Sequence, residues 1–466
     1  MNLPLRQVAE IIHAEGEFDR NALAAGYSID SRTIKPGELF FAVKGERLDG
    51  HDFVEAALTA GAVAAVISRA HASRFASGPL LLVDDPLAAL QALATAVRRL
   101  WSRRLIAVTG SAGKTTTKDS IARLLATRFR VLKSEGNLNN HFGLPLQLLR
   151  LEPQHELAVL ELGMSHAGEI AALARIARPD TGVVTCVAPV HLGYFESVAE
   201  IARAKYELIQ ALPAGGTAVL NADDEYVSQF GRDFPGKVVT FGIRHPADIR
   251  ADAIETRGVE GSSFEIVIGD LRYPGLLPLI GEHNIYNALA AVAVAIECGL
   301  TPAEAAAALP LLAPADKRGQ IVELGGATVI NDCYNSNPKA LDSMVDALAA
   351  MRANGRRIVV AGEMLELGPA TDDLHRRSGR HMAARGVDLL VGVRGAASHI
   401  VEAAREGGVK AEYLETPEEA GEWLARHVRA GDVVLLKASR GVRLERALEV
   451  WSSRKATPSA SMAEVE

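Results

Sequence analysis

Cysteine is scarce in this chain. Three occur among 466 residues, Cys186, Cys298 and Cys333, and no two form a C-x-x-C pair. An odd, scattered set excludes a disulfide framework, and a reducing cytosol is the simplest setting, so a cytoplasmic location is expected. Each thiol reads as a small buried apolar side chain. Aromatic residues are also few, at 5%. Ala, Leu and Val carry the apolar content, which suits close-packed α/β layers better than an aromatic-rich binding surface. Excess positive charge is missing: the formal net charge is −7, so no basic field draws in nucleic acid. An anionic ligand must then be held by local devices. A membrane signature is lacking as well. Met1 to Arg20 is amphipathic, is broken by Arg6, Glu10, Glu15 and Glu17, and has no signal-peptide core. The longest apolar run, Ala56 to Ser68, falls short of the roughly 20 residues that span a bilayer, so no membrane insertion is expected. With Gly61 inside it, this run reads as helix, turn and buried strand.

What is present suits large cores: 48% hydrophobic and 23% charged residues. At roughly 150 residues per domain, about three domains are expected. The first, residues 1–99, contains the apolar runs Leu39–Val43, Val63–Ile67 and Leu80–Val83, then a helix from Pro86 to Trp101 with apolar residues at helical spacing. The second, residues 100–313, opens with the buried strand Leu105–Thr109 and continues with strands Leu157–Glu161, Gly182–Cys186 and Thr217–Leu220, alternating with helices. That alternation predicts a parallel sheet covered on both faces. A stretch from Ile249 to Leu279 reads instead as hairpins, with turns at Gly261 and Gly269. The third, residues 314–452, repeats the strand–helix alternation and reads as a second doubly wound, Rossmann-like unit. Residues 453–466 are small and polar and read as a flexible tail. The expected fold class is therefore three-domain α/β, with a small first domain and a central P-loop-type sheet.

The sharpest motif is Thr109-Gly110-Ser111-Ala112-Gly113-Lys114-Thr115, set between a buried strand and a helix. A polyphosphate needs several donors at close range. Gly110 and Gly113 let backbone N–H groups approach without a Cβ, and the helix N-terminus adds favourable partial charge. Lys114 can reach the β- and γ-phosphates of ATP, and the Thr115 hydroxyl can ligate Mg²⁺. The general G-x4-G-K-[ST] pattern fails at its first position, which is Val108; the spacing is G-x-x-G-K-T.

Three further residues attract notice. Glu161 ends a buried apolar strand, where a carboxylate is expensive without a partner and where the ligand crevice of an open α/β sheet lies; it suits Mg²⁺. His191 follows the next expected strand and faces the same crevice. Lys205 lies in an expected helix from Val198 to Leu212. Taken alone, each has an ordinary explanation: a salt-bridged or solvated Glu161, a satisfied loop histidine, a solvated helix charge.

Several segments share one pattern: Ser28-Ile-Asp-Ser-Arg32 with Pro36-Gly-Glu-Leu-Phe-Phe-Ala-Val-Lys-Gly-Glu46, Gly136-Asn-Leu-Asn-Asn140, Glu161-Leu-Gly-Met-Ser-His166, Gly281-Glu-His-Asn-Ile-Tyr-Asn287, Asn331-Asp-Cys-Tyr-Asn-Ser-Asn-Pro338 and Lys437-Ala-Ser-Arg440. With the G-x-x-G-K-T loop, these resemble the Mur ligase family over nearly the whole chain. The second and third segments resemble its D-alanyl-D-alanine-adding branch. Ala438 departs from the family's usual Gly. The resemblance implies an ATP-dependent amide ligase of peptidoglycan precursor synthesis. It would join D-alanyl-D-alanine to a UDP-N-acetylmuramoyl tripeptide through an acyl phosphate, and would act as a monomer. It implies that Lys114, Glu161, His191 and Lys205 are catalytic, with Thr115, Glu161 and His191 on Mg²⁺ and Lys205 carbamylated. Asn284, Asn287, Arg318 and Asp332 would contact the nucleotide. Ser31, Arg32 and Lys44 would hold the UDP-sugar end. The competing readings are a ligase for an earlier stem residue, a folylpolyglutamate synthase, or a nucleotide-binding regulator without catalysis.

Overall fold

The computed structural model describes residues 1–75 and 77–456. Its main sheets number three, with four, nine and six strands, beside a two-stranded pairing of Leu3–Pro4 with Leu23–Ala24. The four-stranded sheet is parallel, in the order Gly26–Ser28, Glu38–Phe41, Ala64–Ser68, Leu80–Val83. The run expected as helix, turn and strand is just that. Helix Val54–Thr59 is followed by a turn at Gly61, whose φ of +99° suits a residue without Cβ, and then by strand Ala64–Ser68.

Helix Pro86–Trp101 leads out of this sheet. Asp85 caps it by accepting from the Leu87 N–H, and Pro86 occupies its first turn, where no N–H is missed. Arg98, buried at its far end, donates from Nε to the Ala177 carbonyl at 2.8 Å and pairs with Asp180 at 3.1 Å. The helix is thereby fixed to the central domain. One continuous apolar core runs through both units, from Leu5, Leu39 and Leu81 through Leu90 and Leu93 to Leu160, Leu173 and Ile201.

The nine-stranded sheet has Leu105–Thr109 between Thr181–Val184 and Leu157–Glu161, all parallel. Such strands, buried on both faces, need continuous apolar runs, and every residue from Leu105 to Val108 is fully buried. From Thr109 the chain crosses to Val131–Lys133 on one side, and from Val184 it crosses to Thr217–Asn221 on the other. The two connections diverge, which opens a crevice at the carboxyl ends of these strands. Beyond Lys237–Gly242 the sheet is extended by Ile249–Thr256, Ser262–Ile268 and Leu271–Leu277, the last three an antiparallel meander. Gly261 and Gly269, with φ of +94° and +57°, make its turns as the sequence predicts.

The third sheet is parallel apart from the antiparallel edge strand Gln320–Leu324, and has apolar clusters of its own on each face. Ile280, just before helix Glu282–Glu297 of the central domain, inserts into one of them. The final helix, Glu445–Ala456, carries regular structure into residues 453–456 of the expected tail; the rest of that tail lies outside the described residues. No helix among the described residues is long and apolar enough to cross a membrane. The three cysteines are unpaired, with Cys186 and Cys333 buried and Cys298 partly so.

Candidate active site

The loop after Leu105–Thr109 is held on every side. Gly110 and Gly113 take φ of +149° and +79°. A Cβ on Gly110 would lie 1.9 Å from Thr185 Oγ1, and one on Gly113 would lie 2.4 Å from Asn287 Oδ1, so both positions exclude a side chain. The Ser111 N–H donates to the Cys186 carbonyl at 2.8 Å, and Thr185 Oγ1 donates to the Ala112 carbonyl at 2.6 Å. The neighbouring strand's end therefore sets the loop's shape. Helix Lys114–Leu125 begins directly after it, with its first N–H groups at the crevice. Lys114 Nζ donates to the Gly110 carbonyl at 2.8 Å, folded back over the loop. Burial and the nearby Arg318 charge pull the Lys114 ammonium down from its ordinary range, while Glu161 pulls it up; burial is the largest cause.

Glu161 is 5% exposed. Its carboxylate accepts from the Thr115 hydroxyl at 2.7 Å and from Asn139 Nδ2 at 2.8 Å, and its backbone N–H donates to Ser134 Oγ. Neither carboxylate partner carries charge. A buried anion solvated only by a hydroxyl and an amide is suited to a cation arriving from the crevice. Asn139 belongs to a segment whose role the sequence left unassigned; its contact with Glu161 supplies one.

Lys205 lies in helix Val198–Gln210, which Ser197 caps. The solvated-charge explanation does not hold: the residue is 2% exposed. Its side-chain amine makes no ion pair or hydrogen bond with any described residue. Burial, reinforced by the Lys114 charge, drives its amine well below the ordinary lysine range. A buried lysine that is readily neutral is a nucleophilic amine.

Asn284 and Asn287 are buried on helix Glu282–Glu297. Asn287 Nδ2 donates to Asn284 Oδ1 at 2.9 Å, Asn287 Oδ1 accepts from the Thr117 hydroxyl at 3.0 Å, and Asn284 Nδ2 donates to the Ile280 carbonyl at 2.8 Å. This chain of bonds ties the phosphate-loop helix to helix Glu282–Glu297 of the same domain.

The third domain reaches the same crevice. Asn337 Nδ2 lies 3.5 Å from the Ser111 carbonyl, and Lys339 Nζ lies 3.6 Å from Asp224. His191 Nδ1 meets Glu366 Oε2 at 2.6 Å. Arg318 stacks over the Tyr334 ring at 4.0 Å. Asp332 is paired with the buried Lys437 at 2.5 Å. His283 is wedged nearby with its Nδ1 buried and unpartnered; burial pushes its imidazole down to about 4, with Asp332 opposing and Lys437 adding. Ala438 packs over Gly362, and Ser439 Oγ still accepts from the Leu365 N–H at 2.9 Å, so the departure from Gly leaves the local bonding intact.

Ser31, Arg32 and Lys44 do not join this cluster. They sit on loops after the adjacent parallel strands Gly26–Ser28 and Glu38–Phe41. Arg32 is exposed and paired with Asp30 at 2.7 Å, and Lys44 is exposed.

A phosphate loop, a buried carboxylate and a buried lysine whose amine is pushed below its ordinary range, met by a third domain, describe an ATP-driven ligase. Comparison with known proteins agrees. Residues 24–98 match the Mur ligase family, catalytic domain; residues 108–295 match the Mur ligase middle domain; residues 317–440 match the Mur ligase, glutamate ligase domain. The chain belongs to the Mur ligase family. Among its relatives is the UDP-N-acetylmuramoyl-tripeptide–D-alanyl-D-alanine ligase of Bacillus subtilis, 33% identical over 95% of this chain and 96% of that protein. The ligase of the same name from Escherichia coli is 36% identical over 87% of this chain and 88% of its own. Among solved structures, MurF from Acinetobacter baumannii superposes with a TM-score of 0.88 at 28% identity, covering 97% of this chain and 99% of that one. MurF ligase from Thermotoga maritima in complex with ADP gives 0.81 at 30% identity, covering 93% and 98%.

Proposed function

We propose that this chain joins D-alanyl-D-alanine to the terminal carboxylate of a UDP-N-acetylmuramoyl tripeptide, at the expense of ATP, as its D-alanyl-D-alanine-adding relatives are named to do. The observation that carries the reading is the buried Glu161 carboxylate held by Thr115 at the phosphate loop, with the Lys114 charge acting on both Glu161 and the buried amine of Lys205. A carboxylate and an ammonium do not condense in water without activation. The tripeptide carboxylate attacks the γ-phosphorus of ATP, ADP leaves, and an acyl phosphate forms. The amine of the dipeptide then attacks the acyl carbon, loses a proton, and phosphate departs with one carboxylate oxygen.

In this reading the loop N–H groups and Lys114 bind the phosphates and take up charge at the transferring group. Thr115, Glu161 and His191 would hold Mg²⁺, which when bound neutralises phosphate charge. Lys205, as a neutral amine, adds CO₂ and loses a proton to become a carbamate, which places an anion where an ammonium would repel the metal. Arg318 and Asp332 exchange their partners, Tyr334 and Lys437, for the nucleotide when it binds. Asn284 and Asn287 brace the loop helix. Ser31, Arg32 and Lys44 hold the UDP-sugar end. The third domain excludes water while the acyl phosphate exists, turning on the linker near residues 312–319, where Lys317 has a φ of +56°. A monomer in the cytoplasm suffices for this chemistry.

A substrate panel tests the proposal. The purified chain with ATP, Mg²⁺ and D-alanyl-D-alanine should form amide with the UDP-muramoyl tripeptide, and not with shorter UDP-muramoyl peptides or a folate. Amide formed on one of those acceptors instead, or ATP binding with no amide at all, overturns it.

A further inference from the structure

The contact between His191 and Glu366 is built with more care than an incidental surface pair. His191 has a φ of +57° and Glu366 a φ of +67°. Both are left-handed conformations that a side-chain-bearing residue keeps only where its surroundings hold it. The loops that carry them also touch through their backbones: the Gly193 N–H donates to the Glu366 carbonyl at 3.3 Å. Gly368, at a φ of +55°, comes so close that a Cβ there would lie 2.8 Å from the Leu192 carbonyl oxygen and 2.9 Å from Gly193 Cα. Glu366 and His191 have no other side-chain partner among the described residues. The carboxylate is half exposed, at 50%, so the pair adds little to stability. What it can do is orient.

We propose that the Glu366 loop is a positioning clasp: when the third domain meets the central one, its carboxylate takes the Nδ1–H of His191 and leaves Nε2 as the imidazole's lone pair. A carboxylate accepts only, so a proton sits on Nδ1, and in the neutral ring this fixes the tautomer, as with histidines whose ring is steered from behind by a carboxylate. Domain contact and the state of His191 are thereby linked, so the imidazole is correctly presented only while the site is covered. Glu366 touches no substrate; it acts through His191. The inference rests on the ligase reading for what His191 serves.

Two measurements on the full-length chain test it. The first is ¹⁵N NMR of the histidine side chains at mildly alkaline pH, with the His191 signals assigned by their loss in His191→Ala. The wild type should show the Nδ1–H tautomer, and Glu366→Ala should return His191 to a mixture dominated by Nε2–H. An Nε2–H tautomer in the wild type overturns the clasp even if the chain proves to be a ligase. The second is a kinetic cycle. Glu366→Ala should lower kcat by about 10- to 100-fold, with KM for ATP and the dipeptide within about twofold. Glu366→Gln, which keeps an acceptor oxygen, should recover most of the loss. The double variant His191→Ala/Glu366→Ala should be no slower than His191→Ala alone. Additive losses, or full kcat in Glu366→Ala, overturn the clasp while leaving the ligase reading standing; a wild type that forms no amide overturns the ligase reading instead.

Discussion

The central domain meets its two neighbours in opposite ways. Toward the N-terminal domain it shares one apolar core, threaded by Leu90 and Leu93 of the connecting helix. Toward the third domain it offers Ile280 and a set of polar contacts: Asn337 on the loop carbonyl, Lys339 near Asp224, and Glu366 on His191. Apolar cores resist separation because every parting exposes area that water penalises. Polar contacts that water can reach, such as Glu366 on His191, exchange for water at little cost. The first interface therefore makes one body of the N-terminal and central domains, and the second has the make-up that suits the parting and reforming proposed above. The candidate site divides along the same line. Lys114, Thr115, Glu161 and Lys205 belong to the fixed body, whereas Arg318, Asp332 and Glu366 belong to the part that arrives.

The division can be broken experimentally, beginning where the effect is largest. Lys114→Ala should lower turnover by at least about 100- to 1,000-fold, since a preorganised donor at the transferring phosphoryl group is lost. Its thermal midpoint should stay near that of the wild type, because Nζ bonds only the Gly110 carbonyl. Phosphate release at the wild-type rate would remove the loop from the mechanism. Asp332→Ala should behave differently. It leaves Lys437, 4% exposed in its side chain, without its ion pair, so denaturant unfolding should show a loss of about 3 kcal/mol. ADP should still bind through the loop, and turnover should fall by roughly tenfold. Unchanged stability would mean that Lys437 finds relief elsewhere.

The smallest effect sharpens the boundary itself. His283 has a folded pKa pushed down to about 4 by burial, against about 6.5 when unfolded. Below the unfolded value the open chain binds a proton that the folded one refuses. His283 therefore costs nothing above pH 6.5, and stability is lost as pH falls from 6.5 to about 4. The slope should be at most about 1.4 kcal/mol per pH unit. His283→Gln should flatten that part of the stability profile. An identical profile in the variant would show that the imidazole is relieved by local opening.

Much of the fixed body was legible in the sequence because local rules govern it. Gly110 and Gly113 announce a loop that admits no Cβ, and the apolar run Leu105–Val108 announces a strand buried on both faces. Helix Pro86–Trp101 could be read from the spacing of its apolar residues. The environment of Lys205 could not. A lysine at that place in an amphipathic helix has the pattern of a solvated charge, and only tertiary packing reveals a buried amine. The resemblance to a family singled it out. The pairing of Asp332 with Lys437 and of His191 with Glu366 was equally out of reach, since the partners lie 105 and 175 residues apart and carry no local signal. Asn139 and Thr185 act through side-chain hydrogen bonds to Glu161 and to the loop, which sequence spacing does not encode.

The claim under all of this is that ATP activates the tripeptide's carboxylate by phosphoryl transfer at the Gly110–Thr115 loop. It is tested most directly by labelling both oxygens of that carboxylate with ¹⁸O and following the label through one round of ligation. The account predicts one ¹⁸O in the released inorganic phosphate and one retained in the new amide. Label appearing in AMP, or phosphate free of label, would contradict it.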